Sequence, residues 1–158
     1  MTAFCKRILI IASACILFCS CGGASPKNPP VTDGFSCSVT AEFEQYETVF
    51  NLKKSGGSIS IEYVLPDAVE GMEINISPAG NILSFNGLSR EMDLNVLNSS
   101  INGAIIDALD YDYSAAEYKN GEYICCSGAD EFRVSVFDDG RISTINFFKY
   151  NCKCYFNY

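Results

Sequence analysis

Alternation of apolar and polar residues is the strongest signal in the chain. Phe35-Ser36-Cys37-Ser38-Val39-Thr40-Ala41-Glu42-Phe43 keeps it over its whole length, the pattern of a strand with one wet face. Residues Glu44 to Glu47 turn the chain back, and Thr48 to Lys54 continues with Phe50 and Leu52 on one face. Gly56-Gly57 marks a hairpin turn ahead of a third alternating strand, Ser58 to Leu65. The pattern breaks at Pro66 to Gly71 and resumes with Met72, Ile74 and Ile76 up to Ser77; after the turn Pro78-Ala79-Gly80-Asn81, Ile82 to Leu88 pairs back through Leu83 and Phe85. Such short turns make successive strands antiparallel neighbours, so this half of the chain is a meander.

The period changes after Arg90. Leu94, Leu97, Ile101, Ile105 and Ala108 recur at three- and four-residue steps behind Asp93, which is placed to cap a helix. The stripe predicts an amphipathic helix packed on the apolar face of the sheet, held by packing because Gly103 and several Asn residues are poor helix formers. A tyrosine- and acid-rich linker, Asp110 to Lys119, leads to a second β set: Glu122 to Ser127, Glu131 to Phe137, Arg141 to Phe148 and Cys152 to Phe156. Asp138-Asp139-Gly140 supplies a hairpin turn between the middle two. The sum is an α+β chain with about nine short strands and one main helix, lacking any βαβ rhythm, in a single domain over residues 35–158.

Ahead of this domain, Lys6 and Arg7 precede an apolar run from Ile8 to Cys19, too short to span a bilayer comfortably, and then Ser20-Cys21-Gly22-Gly23. That order predicts a signal peptide over residues 1–20. Phe18-Cys19-Ser20-Cys21 resembles the lipobox of bacterial lipoproteins, with Phe18 where Leu is usual. The resemblance implies cleavage before Cys21 and lipid on its sulfur, where two or three acyl chains hold a domain that one would bind only reversibly. A plain secretory signal is the alternative. Gly22 to Gly34, rich in Gly, Pro and small polar residues, completes a tether over residues 21–34. The expected location is the outer, extracytoplasmic side of a cell membrane.

Charge and composition then narrow the function. Loss of Lys6 and Arg7 leaves 19 acidic and 9 basic residues, a formal charge of −10. That surface repels phosphate backbones, so nucleic acid is not an expected partner, and the membrane contact is left to the Cys21 lipid. The chain has no histidine, which removes Ser-His and Cys-His relays and every His-ligated metal site. The Asp138-Asp139 pair is explained by its turn, and no catalytic residue, cofactor or metal is expected.

Five thiols follow Cys21: Cys37, Cys125, Cys126, Cys152 and Cys154. On strands, Cys152 and Cys154 share a face whereas Cys125 and Cys126 point to opposite faces, so four thiolates do not converge on a metal. They are expected either as small core residues or as one or two disulfides, the favoured bridge joining Cys37 to Cys152 or Cys154.

The order of parts, from lipobox and tether through meander and helix to a second set of strands, resembles the LolA/LolB/LppX-like superfamily, and within it the small GerS-like lipoproteins of Gram-positive bacteria. Ile61-Glu62-Tyr63-Val64-Leu65-Pro66 followed by Val69-Glu70-Gly71-Met72-Glu73-Ile74 resembles the strand, proline, apolar-x-Gly and strand passage common there. The resemblance implies a curved antiparallel sheet, an unfinished β-barrel plugged by helix, with an apolar cavity for acyl chains held by area burial at roughly 25 cal/mol per Å². In this chain that cavity would be lined by Phe35, Val39, Phe50, Leu52, Ile61, Ile74, Leu83, Phe85, Leu97 and Ile101. Family carriers that shuttle lipoproteins are themselves soluble, so that role does not carry over to an anchored chain. The expected function is therefore binding of a hydrophobic small molecule; the alternative is a cell- or spore-envelope protein-interaction module with a filled core, acting through an exposed strand or the tyrosine-rich Asp110 to Tyr123 stretch.

Overall fold

A computed structural model describes residues 28–158; the expected signal peptide, Cys21 and the first part of the tether lie outside the described residues. The strands are β1 (Phe35–Glu42), β2 (Glu47–Ser55), β3 (Ser58–Leu65), β4 (Glu73–Ser77), β5 (Gly80–Phe85), β6 (Leu88–Glu91), β7 (Glu117–Lys119), β8 (Glu122–Ser127), β9 (Asp130–Val136), β10 (Ile142–Phe147) and β11 (Cys152–Asn157). Helices α1 (Leu94–Asn98) and α2 (Ile101–Leu109) fall between β6 and β7. All eleven strands join one sheet in the order β6-β5-β4-β3-β2-β1-β11-β10-β9-β8-β7. It is an open antiparallel sheet, and the α+β class read from the chain is the one observed.

Two meanders, β1 to β6 and β7 to β11, meet at the middle of the sheet, where the first strand pairs with the last through Val39↔Phe156 and Ala41↔Cys154. This closing pair has the highest sequence separation of any in the sheet. Alternation places one side chain in two on the inner face. A row of partners, Tyr123, Val134, Ile145, Cys154, Ala41 and Thr48, crosses six strands, and every member is buried.

Two strands beyond the expected nine were missed. The run read from Ile82 to Leu88 passes through the Asn86-Gly87 turn, so that Leu88–Glu91 is a strand of its own, and Glu117–Lys119 falls in what reads as linker; both are short edge strands that hydrogen-bond on one side only. With little apolar content buried, an edge strand leaves no period in the sequence. The single expected helix is two. Asp93 does cap the first, accepting from the Asn95 amide at 2.9 Å. Ser100 then interrupts, its hydroxyl donating to the Leu97 carbonyl at 2.7 Å and accepting from the Gly103 amide at 3.3 Å. A serine that bonds to nearby backbone in this way ends one helix and caps the next.

Gly103 makes that turn fit. A Cβ at this position would lie 2.3 Å from the Leu97 carbonyl oxygen, so only glycine lets α2 pass the end of α1. Leu97, Ile105, Ala108 and Leu109 join the buried cluster of the inner face. Two polar ties fix the helix on the sheet. Tyr63 donates its hydroxyl to Asn102 Oδ1 at 2.9 Å, and the buried Lys54 reaches across from β2 to the Leu109 carbonyl at 2.9 Å and Asp110 Oδ1 at 2.5 Å. A cation there satisfies the open carbonyls of a helix C-terminus and meets the negative end of its dipole.

The last part of the expected tether is docked instead of free. Pro30 is buried, and Val31 forms a parallel bridge with Arg141 while its amide donates to the Gly140 carbonyl at 2.9 Å. The paired prolines Pro29 and Pro30 favour extended backbone, and Val31 Cγ2 lies over the side of Gly140 where a Cβ would stand.

Candidate functional site

The ten residues expected to line a cavity divide by position in the sheet. Val39, Phe50, Leu52, Ile61, Ile74 and Leu97 are buried in one contiguous cluster, Phe35, Leu83 and Ile101 are half-buried against it, and Phe85 is half-buried outside it. Beneath α2 the space is small. A void of about 50 Å³ lies between Ala104 and Asp107 on the helix and Phe132 and Phe147 on the sheet, far below the ~300–1,000 Å³ of ligand pockets. The Asp107 carboxyl beside it is raised by burial and by the charge of Asp110.

The inner face opens toward β6. A second cross-strand row runs Cys37, Leu52, Ile61, Ile74, Leu83 and Arg90. Leu52 and Ile61 are sealed and Ile74 is buried, but Leu83 is half-covered and Arg90 is open to solvent. Register gives Phe85 and Leu88 the same inner face, since Phe85↔Leu88 is the next-but-one pair to Leu83↔Arg90. Above this flank lies α1, and between the two is a half-open pocket of about 440 Å³ lined by Leu83, Arg90, Glu91, Met92, Asp93 and Val96. Its walls are aliphatic and thioether, its mouth mixed in charge. Recognition there would come from apolar burial and not from a single fixed counter-ion. Met92 and Val96 were absent from the expected lining, because Val96 falls off the apolar stripe that marks α1. An apolar residue on the wet side of an amphipathic helix was the available signal, and Val96 is 65% exposed.

The thiols do not form the expected bridge. Cys154 faces Ala41, and Cys37 lies four residues further along β1, about 13 Å away at ~3.3 Å per residue. Disulfides need Cα atoms within about 7 Å. Cys152 is further still. It instead neighbours Cys154 on the same strand, with Sγ atoms 3.9 Å apart and both side chains buried. On β8, Cys125 is buried and Cys126 exposed, the opposite-face arrangement read from the sequence. Burial pushes the Cys37 thiol up to about 12, and burial with the neighbouring Cys126 does the same for Cys125. Cys37 and Cys125 are thereby held protonated as small core residues.

The tyrosine-rich stretch is also packing. Tyr113 and Tyr123 are buried with ring centroids 5.9 Å apart, Tyr113 donates to the Ala108 carbonyl at 2.7 Å, and Tyr111 and Tyr118 are half-buried against them. It offers a partner little free aromatic surface.

No protein-family profile matches the chain, and no curated protein matches its sequence. Among solved structures the chain is similar to a LolA superfamily protein from Nitrosomonas europaea, at 13% sequence identity and a TM-score of 0.41, over 75% of this chain. This chain spans 66% of that protein's length.

Proposed function

We propose that this protein is a lipid-anchored extracytoplasmic binding protein, not an enzyme, that takes the apolar part of a hydrophobic small molecule in the pocket between α1 and the β5–β6 flank. The observation that carries this is the abrupt loss of cover along one inner-face row, which leaves Leu83 half-exposed beside Met92 and Val96 in a pocket of about 440 Å³. That volume lies within the range of small-molecule sites, and an apolar wall with a polar mouth suits an amphiphile's tail and head. The lipobox-like Phe18-Cys19-Ser20-Cys21 supports the anchor, which would keep the domain where lipid is at hand.

The test is titration of the unlipidated domain, residues 22–158, with a fluorescent fatty acid. Saturable uptake is expected in the parent domain and its loss in Leu83→Glu and Val96→Glu, one from the sheet wall and one from the helix wall. Val96 is exposed, so its substitution leaves the fold intact; uptake undiminished from the parent's in both variants would remove the site from consideration. One observation favours a second reading. Leu88 is 78% exposed beside the unpaired edge of β6, and such a patch also suits a protein partner in the envelope. Cross-linking in the native host that recovers one dominant protein through this edge, with no fatty-acid uptake, would favour that alternative.

A further inference from the structure

We infer that the end of the sheet carrying the β9–β10 turn faces the membrane, with Val31, Phe35, Phe137 and Tyr158 resting at the headgroup level of the bilayer. The inference rests on acylation of Cys21, proposed above.

Its first support is where the chain leaves the fold. Tyr123 donates its hydroxyl to the Asn28 carbonyl at 3.1 Å, the Val31 amide donates to the Gly140 carbonyl at 2.9 Å, and Val31 Cγ2 and the Pro29 carbonyl oxygen lie beside the place a Cβ of Gly140 would take. The exit point is thereby fixed beside one hairpin. Cys21 and Asn28 are seven positions apart, a reach of at most about 25 Å when fully extended and roughly 15 Å for a flexible chain. The opposite end of the sheet lies a strand length beyond, about 28 Å for nine residues. An anchor at Cys21 therefore keeps this end within about 25 Å of the lipid, nearer to its attachment than the far end by up to a strand length.

What that end displays is the second support. Register puts the start of β1, the end of β11 and the β9–β10 turn together, through Ser38↔Asn157 and Thr144↔Tyr155. The Phe35 and Tyr158 rings meet edge-on at 6.0 Å and those of Phe137 and Tyr158 at 6.3 Å. Phe137 is 44% exposed, Val31 41% and Tyr158 40%, so the cluster is a surface and not a core. The Arg141 guanidinium stacks 4.5 Å from the Tyr158 ring centroid while its Nε donates to Asp139 at 2.7 Å. An exposed apolar and aromatic cluster in which Tyr158 carries a polar tip, beside a stacked arginine, suits the boundary between headgroups and acyl chains. Because Arg141 is paired with Asp139 and the net charge of the chain is negative, attraction to anionic lipid is not the driving term, and neutral phosphatidylcholine is a sufficient surface.

The absence of tryptophan makes the test direct, since one substitution supplies the only indole. Phe137→Trp reports from the anchored end. Phe148→Trp reports from the other, where Phe148 is 48% exposed just after β10. Each full-length variant is purified from membranes and reconstituted in phosphatidylcholine vesicles with and without a doxyl quencher near the headgroup; flotation and the mass of the N-terminal peptide establish the anchor. The expected result is a blue shift and loss of most of the emission for F137W, with F148W unchanged. Equal quenching of both, or of neither, in chains that float and carry acyl groups overturns this orientation and leaves the anchor standing. Chains that neither float nor carry acyl groups overturn the anchor reading, and the orientation with it.

Discussion

Strands β2 and β3 and strands β5 and β6 sit on the same sheet and share the same kind of row, yet only the first pair is sealed. Along Leu52, Ile61, Ile74, Leu83 and Arg90 the residues pass from no exposure to open solvent. Alternation selects the face a side chain points to, and it does so for every strand here. Whether that face is covered depends on where α1 and α2 cross, which is a tertiary fact. The helices cover the middle of the sheet and reach the β5–β6 flank only with the short α1, so the pocket forms where cover ends.

The comparison breaks most sharply at Ile61, which is fully buried between Leu52 and Ile74. Ile61→Ala removes three carbons from a site with no room to relax, and the expected cost is about 2–5 kcal/mol, read as a lower urea midpoint at unchanged slope. A cost under about 1 kcal/mol would mean that the middle of the sheet holds empty space after all, and that the flank is nothing special.

Gly103→Ala asks whether the helices are placed as described. On propensity alone alanine should stabilise α2 by about 1 kcal/mol. The crossing gives the opposite sign, because the new Cβ would meet the Leu97 carbonyl oxygen at 2.3 Å and the Asn98 Cα at 2.9 Å, both backbone atoms. Forced overpacking of this kind costs about 1–3 kcal/mol, so net destabilisation is expected in the same urea experiment. Stabilisation would show that α1 and α2 do not approach here, and the cover over the middle would have to be redrawn.

Much of the fold was legible because burial and alternation agree. Strands such as Ser58–Leu65 and Glu122–Ser127 were read with their observed bounds, and Asp93 and the Asp138-Asp139-Gly140 turn were read from side-chain chemistry alone. What escaped was set by partners distant in sequence. Alternation puts Lys54 on the face of Phe50 and Leu52, but nothing in its strand shows what a cation meets there; it is buried because the carbonyl of Leu109 awaits it 55 residues on. Facing strands at the two ends of the domain suggest pairing of Cys37 with Cys154, but the register of β1 on β11 sets them four residues out of step. Of the pocket, Leu83 was legible as an inward residue of its strand, whereas Met92 and Val96 became relevant only once the chain folded α1 back over β5 and β6.

The smallest expected effect is the most discriminating. Leu83→Ala truncates an aliphatic side chain on the same row as Ile61, but from a residue that is already half-exposed. Less apolar area returns to water and no closed cavity forms, so the cost should fall to about 1 kcal/mol or less. The two truncations together measure cover directly, with chemistry and face held constant. Adding the fluorescent fatty acid then separates stability from binding: at a hundredfold excess over Kd a ligand raises the stability of its receptor by about 2.7 kcal/mol. Ile61→Ala should keep most of that increment, since its side chain lies under the core and away from the pocket, whereas Leu83→Ala should lose much of it by removing a wall. The reverse pattern, with the increment kept in Leu83→Ala and lost in Ile61→Ala, would move the ligand from the open flank into the middle of the sheet, where the packing described above leaves no space for it.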